Sequence, residues 1–442
     1  MSFSDLAGHR VVIWGYGREG RAVAAHLREL GIAFCVAEPD LRAPSAAPSD
    51  GEAEVLYAAA GRDAVLGADV VIKSPGIPVT SDLYREAAAR AGLRITSLTD
   101  LWMQENAART IAVTGTKGKS TTAALIVHVL AEAGRSVSLR GNIGTPVLDE
   151  PTPPSETVVM ELSSYQAQSL TVSPRILAVT VLFPEHLTWH GSEEAYYADK
   201  LNAAAHGPEV VVLTGGDEEL RARVAARAGD VPLLATGPET VTVDEDGGLV
   251  WADGTRLAAA DLPLLGRHQA RNAALAAVVC AQVGLTPAAI AAAITTFAPL
   301  EHRMQPVDST DGRTWIDDSL ATAPEAVIAT LEALPGRSVA AIIGGADRGL
   351  DFTRLTDYLA ANPRVIPLLI GPVGRRIAAV AGAQAFDGFA DAVRWAHSVA
   401  NPAEVVLLSP GAPSFDEFAD YEARSAAFKA AALSGATTST PS

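Results

Sequence analysis

Two glycine-rich turns hold the residues whose types and spacing could do chemistry. The first is Gly15-Tyr16-Gly17-Arg18-Glu19-Gly20, set between a strand-like and a helix-like run. Glycines let a backbone approach a pyrophosphate, and the following helix offers free N–H groups and the positive end of its dipole. Glu38 ends the next strand, where a ribose hydroxyl would be bound, and Ser74-Pro75-Gly76 adds a tight turn at the same sheet edge. These residues favour a nucleotide, NAD included, without choosing which one. The second turn is Gly115-Thr116-Lys117-Gly118-Lys119-Ser120-Thr121, again between strand and helix. Its amides suit phosphates, Lys119 the β/γ oxygens, and Ser120 or Thr121 an Mg²⁺ ion, with Lys117 as a further cation. The strict P-loop pattern asks for glycine where Val113 stands, so only the core of that motif is present.

Other signals limit the reading. His186 and His190 are four apart, but no HExxH and no cysteine partner supports zinc. The 442 residues carry 34 Lys+Arg against 51 Asp+Glu, a net charge of −17, which disfavours nucleic acid as a partner. Anionic substrates stay possible, because a few local cations overrule a net charge. Only Cys35 and Cys280 occur, so neither a disulfide framework nor a cysteine metal site is expected. MSFSDLAGHR lacks a secretory pattern, and apolar runs such as Ala273–Cys280 fall short of the ~18 residues of a membrane span. A cytoplasmic protein without a membrane span is expected.

The elements that position these turns alternate strand with helix. Strands are predicted at Arg10–Trp14, Ile32–Ala37, Asp69–Lys73 and Leu93–Thr96, with a helix at Arg21–Leu30. Thr110–Thr114 leads into the second turn and a helix closing near Gly134; Thr157–Leu162, Ile176–Phe183 and Val210–Thr214 continue the strands. The Ala-rich run Asn272–Val283 reads as a packed helix. Val339–Ile343, Val365–Ile370 and Val405–Ser409 form a third set. Ala43–Pro48 and Asp149–Glu156 read as loops and the tail from Ser434 as frayed. The fold class is α/β: a Rossmann-like first domain (1–96), a central P-loop ATPase-like domain with a mostly parallel sheet (97–299) and a Rossmann-like third domain (300–442).

GTKGKSTT is followed by Gly141-Asn142-Ile143-Gly144, Glu161-Leu162-Ser163-Ser164-Tyr165-Gln166, Glu185-His186-Leu187 and Lys200. Gly266-Arg267-His268 with Asn272, His302-Arg303, Asp318-Ser319-x-Ala321-Thr322, Gly344-Gly345-x-Asp347-Arg348-Gly349 and Leu408-Ser409-Pro410 with Ser414-Phe415-Asp416 come next. This ordered set, spanning nearly the whole chain, resembles the Mur ligases, and within them the ligases that add glutamate to UDP-N-acetylmuramoyl-L-alanine in peptidoglycan synthesis. The resemblance implies ATP-driven amide formation through an acyl phosphate, with ATP and Mg²⁺ bound. It reassigns the first turn, with Gly15, Gly17, Gly20, Glu38, Ser74 and Gly76, to the uridine nucleotide. It implies Lys119, His186 and Lys200 as catalytic residues, and Ser120, Glu161, His186 and carbamylated Lys200 as metal-site residues. The turn Gly115–Thr121, Asn272 (adenine), Arg303 (γ-phosphate) and Asp318 (ribose) would bind ATP. Asn142 would meet the muramoyl-alanine portion, and Thr322, Arg348, Ser414 and Tyr421 the glutamate.

The departures cluster at the amino-acid end. Leu320 stands where the family has a lysine, Arg348 where lysine is common, Lys117 where Asn is common and Gln269 where Asn usually follows the histidine. Phe183–His190, FPEHLTWH, also differs from the usual segment. GTKGKST, PEHLxWHG and DSxAT without the lysine resemble the smaller branch that adds L-glutamate and leaves inversion to a separate epimerase. Addition of D-glutamate to the same acceptor is the alternative; an NAD-dependent dehydrogenase and a nucleotide-binding scaffold are remoter ones. Nothing in the sequence demands more than a monomer.

Overall fold

The computed structural model describes residues 1–40, 54–142, 147–148, 153–264, 266–347, 350–381, 385–398 and 400–434. The chain forms two compact units, Met1–Leu262 with Gln269–Phe297, and Pro263–His268 with Ala298–Ser442. Each is an α/β structure built on parallel strands, and Ala43–Pro48, 149–152 and 435–442 lie outside the described residues.

The first unit holds two parallel sheets. β1 (Val11–Trp14), β2 (Phe34–Glu38), β3 (Val55–Tyr57), β4 (Val70–Lys73) and β5 (Arg94–Thr96) lie in the order β3-β2-β1-β4-β5. β1 and β4 are buried along their whole length, as expected for parallel strands covered on both faces. The second sheet runs β11-β10-β9-β6-β8-β7, with β6 (Thr110–Thr114), β7 (Val137–Gly141), β8 (Thr157–Glu161), β9 (Ile176–Val179), β10 (Val210–Leu213) and β11 (Leu233–Ala235). The helix Leu98–Asn106 joins the sheets. Its Leu101 and Met103 belong to one apolar core that reaches from Val11 and Ile72 to Met160 and Leu177. A small antiparallel meander follows, β12 (Val241–Val243), β13 (Leu249–Trp251) and β14 (Arg256–Leu257), which the sequence reading did not anticipate.

Both glycine-rich turns fall where strand order reverses, at β1/β4 in the first sheet and at β6/β9 in the second. The crevice at the carboxyl ends of strands at such a point is where ligands bind in open α/β sheets. The predicted strand Ile176–Phe183 stops at Val179 for a related reason. Beyond it the chain leaves the sheet to bond the second turn: Thr116 N–H donates to Val181 O at 2.7 Å, and Phe183 N–H to Thr116 Oγ1 at 3.0 Å.

The second unit carries a sheet in the order β15-β16-β19-β17-β18. β16 (Thr314–Asp317), β17 (Val339–Gly344), β18 (Val365–Ile370) and β19 (Val405–Leu408) are parallel, while β15 (Gln305–Val307) is an antiparallel edge. Its core divides between the two faces: Ile343, Leu369 and Leu407 on one, Trp315, Leu408 and Phe428 on the other.

Candidate active site

The second turn is fixed by its surroundings. Gly115 has φ +136, and a Cβ there would fall 1.8 Å from Thr180 Oγ1. Gly118 has φ +88, and its Cβ would fall 2.4 Å from Asn272 Oδ1, so only glycine fits either place. Thr116 Oγ1 donates to Phe183 O at 2.8 Å and lies 2.8 Å from the Tyr196 hydroxyl. The helix Lys119–Glu132 then starts, with Ser120 and Thr121 buried in its first turn, where N–H groups and dipole favour an anion. Lys119 Nζ donates to Gly115 O and Thr116 O at 3.0 Å, and Lys117 Nζ pairs with Glu185 Oε1 at 2.7 Å.

A second group of side chains meets this turn from below and beside it. Lys200 ends the helix Glu193–Lys200, is 3% exposed and donates to Gly115 O at 2.8 Å. Its ammonium lies 5.0 Å from the centre of the Tyr196 ring. Burial drives its pKa well down and the charges of Lys119 and Lys117 add to this, against Glu185 and Glu161. Glu161, at the end of β8, accepts from Asn142 Nδ2 at 2.8 Å through Oε1. Its Oε2 is buried with no hydrogen-bond partner among the described residues. His186 sits beside them at φ +56, its ring 5.1 Å from that of Tyr165. An orphan carboxylate oxygen and a desolvated amine beside a phosphate-type loop suit polyphosphate chemistry, although no three His, Cys, Asp or Glu side chains converge as a metal site among the described residues.

The first turn is built the same way. A Cβ on Gly15 (φ +96) would meet Ser74 Oγ at 2.8 Å, and one on Gly20 would meet Gly15 O at 2.1 Å. Ser74 Oγ donates to Gly15 O at 2.8 Å, which joins the two predicted loops across β1 and β4. Glu38 Oε1 accepts from Tyr16 N–H at 2.5 Å, while Gly17 leads into the helix Arg18–Glu29 and Gly76 is exposed.

Residues 113–280 match the Mur ligase middle domain, and residues 302–411 match the Mur ligase glutamate ligase domain. The chain is 41% identical over 446 residues to a UDP-N-acetylmuramoyl-L-alanine–L-glutamate ligase of Salinispora tropica, covering 97% of this chain and 98% of that one. It belongs to the Mur ligase family. A protein of the same name from Xanthomonas campestris pv. campestris is 37% identical, with 96% and 95% covered. Among solved structures, MurF from Acinetobacter baumannii superposes with a TM-score of 0.62 at 18% identity, covering 97% of this chain and 93% of that one. MurF ligase from Thermotoga maritima, in complex with ADP, gives 0.58 at 16%, covering 97% and 96%. At such identities these structures speak for the fold.

This Mur ligase carries the remaining predicted residues in its second unit. Arg303 stands between His302 (φ +63) and Met304 (φ +46), two left-handed residues that set its corner. Asp318 is buried; its Oδ2 accepts from Thr330 Oγ1 at 2.6 Å and Ser409 Oγ at 2.9 Å. Burial pushes its pKa up to about 6 despite those bonds. Ser414 is buried and Thr322 exposed; Tyr421 opens the helix Tyr421–Ser434, and Arg348 lies outside the described residues. Leu320, where the family lysine is missing, has its N–H on His302 O at 3.2 Å.

The sequence reading missed several polar residues at these sites. Asp317 accepts from His302 Nδ1 at 2.9 Å and from the hydroxyls of Ser319 and Ser425, with Lys429 Nζ at 3.8 Å. His302 in turn meets the Tyr421 ring edge-on at 5.5 Å. Buried Arg424 donates to Ala412 O at 3.2 Å and Ser319 O at 3.1 Å, with burial lowering its pKa to about 10. Asp317, beside Asp318 in the quoted motif, was the one with a visible signal. His190, set aside as a zinc ligand, is buried between Asp199 Oδ2 (2.6 Å) and Ser164 Oγ (3.0 Å).

Proposed function

We propose that this chain, a cytoplasmic monomer, adds L-glutamate to UDP-N-acetylmuramoyl-L-alanine in peptidoglycan precursor synthesis, at the expense of ATP. The carboxylate oxygen of the acceptor attacks the γ-phosphorus, the bond to the β-phosphate oxygen breaks, and an acyl phosphate and ADP form. The neutral amine of glutamate then attacks the acyl carbon, and inorganic phosphate leaves from the tetrahedral intermediate. Negative charge grows in both steps, so fixed cations do most of the catalytic work. Lys119, Lys117 and the amides of Gly115–Thr121 hold the phosphates. Asn272 binds adenine, Arg303 the γ-phosphate and Asp318 the ribose. Ser120 would hold one Mg²⁺ ion, and Glu161, His186 and Lys200 as its carbamate a second; these ions would supply charge neutralisation and Lewis acidity.

The observation that carries this reading is the buried Lys200 on Gly115 O, within the electrostatic reach of Glu161. Carbamylation needs a neutral amine, and burial shifts Lys200 in that direction. A dehydrogenase would leave this lysine and Lys119 without a role. In the first unit, Gly15, Gly17, Gly20, Glu38, Ser74 and Gly76 bind the uridine nucleotide and Asn142 the muramoyl-alanine portion. In the second, Thr322, Arg348, Ser414 and Tyr421 take the two glutamate carboxylates. Relatives named for L-glutamate, at 41% and 37% identity, support the L isomer, as does Leu320 in place of a cation. An L product calls for a separate epimerase. The test is phosphate release with this acceptor, MgATP and each glutamate enantiomer in turn. L-Glutamate should support turnover at least ~10²-fold faster, about 2.7 kcal/mol in the barrier. Turnover with the D isomer alone overturns the stereochemistry, and turnover with neither overturns the acceptor.

A further inference from the structure

Lys73 and Trp189 have no part in the chemistry above, yet together they join the turn of the first site to the segment that carries His186. Lys73, 2% exposed, ends β4, and its ammonium donates at 3.2 Å to Ser74 O and to Ile77 O. It therefore grips the turn read above as part of the uridine site from both sides. The same ammonium lies 5.1 Å from the centre of the Trp189 ring, in the segment that carries His186. No carboxylate forms an ion pair with it among the described residues; Glu19 and Asp199 favour its charge from further away. Burial pushes its pKa down to about 8. Taking a cation out of water is costly, and here the return is two carbonyls and an aromatic face.

The contact continues on both sides. Thr80 Oγ1 reaches Trp189 O at 3.5 Å, and a Cβ on Gly191 (φ +88) would fall 3.0 Å from Thr80 Cγ2. Trp189 packs on Tyr165 at 4.7 Å and on His190 at 4.5 Å, and Tyr165 packs on His186 at 5.1 Å. His190 is bonded to Asp199, the residue before Lys200. Trp189 Nε1 is buried without a hydrogen-bond partner among the described residues, so the ring acts through its face. A shift of the Ser74–Ile77 turn must move Lys73, and with it the surface on which Trp189 and the His186 segment rest. We propose that the Lys73–Trp189 contact is a positioning link through which a uridine nucleotide at the Ser74–Gly76 turn sets the His186 segment, so that the two nucleotide sites bind cooperatively. The link rests on the reading of the first turn as the acceptor site.

Titration calorimetry on the full chain tests it without turnover. UDP-N-acetylmuramoyl-L-alanine is titrated with and without saturating MgADP, and MgADP with and without the acceptor. In the parent each ligand should tighten the other by the same factor, about tenfold, because coupling is reciprocal. Lys73→Met and Trp189→Leu should reduce that factor below about twofold. Trp189→Phe, which keeps an aromatic face under the ammonium and loses only an unbonded N–H, should retain it. A purely structural role would lower the melting temperature of all three and leave the factor alone. Trp189→Leu against Trp189→Phe decides the matter if Lys73→Met fails to fold. The same factor in parent and Trp189→Leu, or no coupling in the parent, overturns the link. An acceptor that does not bind the parent overturns the reading of the first turn instead.

Discussion

Exchanging Glu161 for glutamine separates what this carboxylate does for the fold from what it does for the site. Glu161 is 2% exposed, with Oε1 bonded to Asn142 and Oε2 buried without a partner among the described residues. A buried polar atom left unsatisfied costs about 1–3 kcal/mol, and more if it is charged. Glutamine keeps its oxygen on Asn142 and places a neutral amide where the orphan oxygen was. Attraction to Lys200 is a small loss, because burial already drives that amine toward its neutral form. That amide also lacks an acceptor, so only the extra cost of a buried charge is removed, and without divalent metal Glu161→Gln should be up to about 1 kcal/mol more stable than the parent. MgADP at about 100 times its Kd adds about 2.7 kcal/mol to the parent. The variant, lacking the carboxylate, should gain clearly less, so the order of stabilities reverses. Turnover should fall at least ~10²-fold, about 2.7 kcal/mol of barrier. Urea unfolding in EDTA and in MgADP reads both quantities, compared at the nucleotide-sensitive transition of this two-unit chain. A variant less stable than the parent in EDTA, or equal gains from MgADP, would refute the reasoning.

Three further outcomes follow from the geometry. Gly118→Ala puts a Cβ 2.4 Å from Asn272 Oδ1 at φ +88, so calorimetry should show ADP affinity down by about tenfold or more, with acceptor affinity unchanged. For Asp317, burial works to raise the pKa, but hydrogen bonds from Ser319, Ser425 and His302 outweigh it and hold the carboxyl below its usual range. Its contribution is therefore complete above the unfolded value near 4 and fades as pH falls through the folded one; Asp317→Ala should cost about 3–5 kcal/mol at pH 7 and progressively less as pH falls below 4, by urea unfolding. Asp318 has the opposite sign. Burial raises it to about 6, so the folded chain holds a proton that the unfolded chain releases above pH 4, and stability should fall by up to about 3 kcal/mol between pH 4 and 6. Asp318→Asn should flatten that slope, and a slope unchanged by the substitution would contradict the assignment.

What the sequence made legible was local and patterned. Glycine turns, apolar strand runs and the helix after Lys119 announce themselves because backbone geometry dictates their residues. The helices at Arg18–Glu29 and Arg267–Gln282 begin earlier than the pattern suggested, where polar first turns interrupt the apolar signal. β3, β7, β11, β15, β16 and the meander were missed: they are strands of five residues or fewer whose place is fixed by neighbours distant in sequence. The same limit governs the site. Lys119 and Glu161 lie in motifs, whereas Asp317, Arg424 and Lys73 each take at least one partner from far along the chain: Ser425, Ser319 and the Trp189 ring. Burial also gave Lys200 a character that composition cannot show, since a helix lysine reads as solvated until its surroundings are known.

His186 holds a left-handed backbone, which costs a non-glycine residue about 1–2 kcal/mol, and its side chain is half exposed. Little burial offsets that strain, so the position sets heat tolerance against turnover. A population screened only for survival at high temperature should drift toward glycine there and lose catalysis as it gains stability. A screen for both properties would have to find its stability elsewhere, in surfaces and loops that leave this φ angle alone.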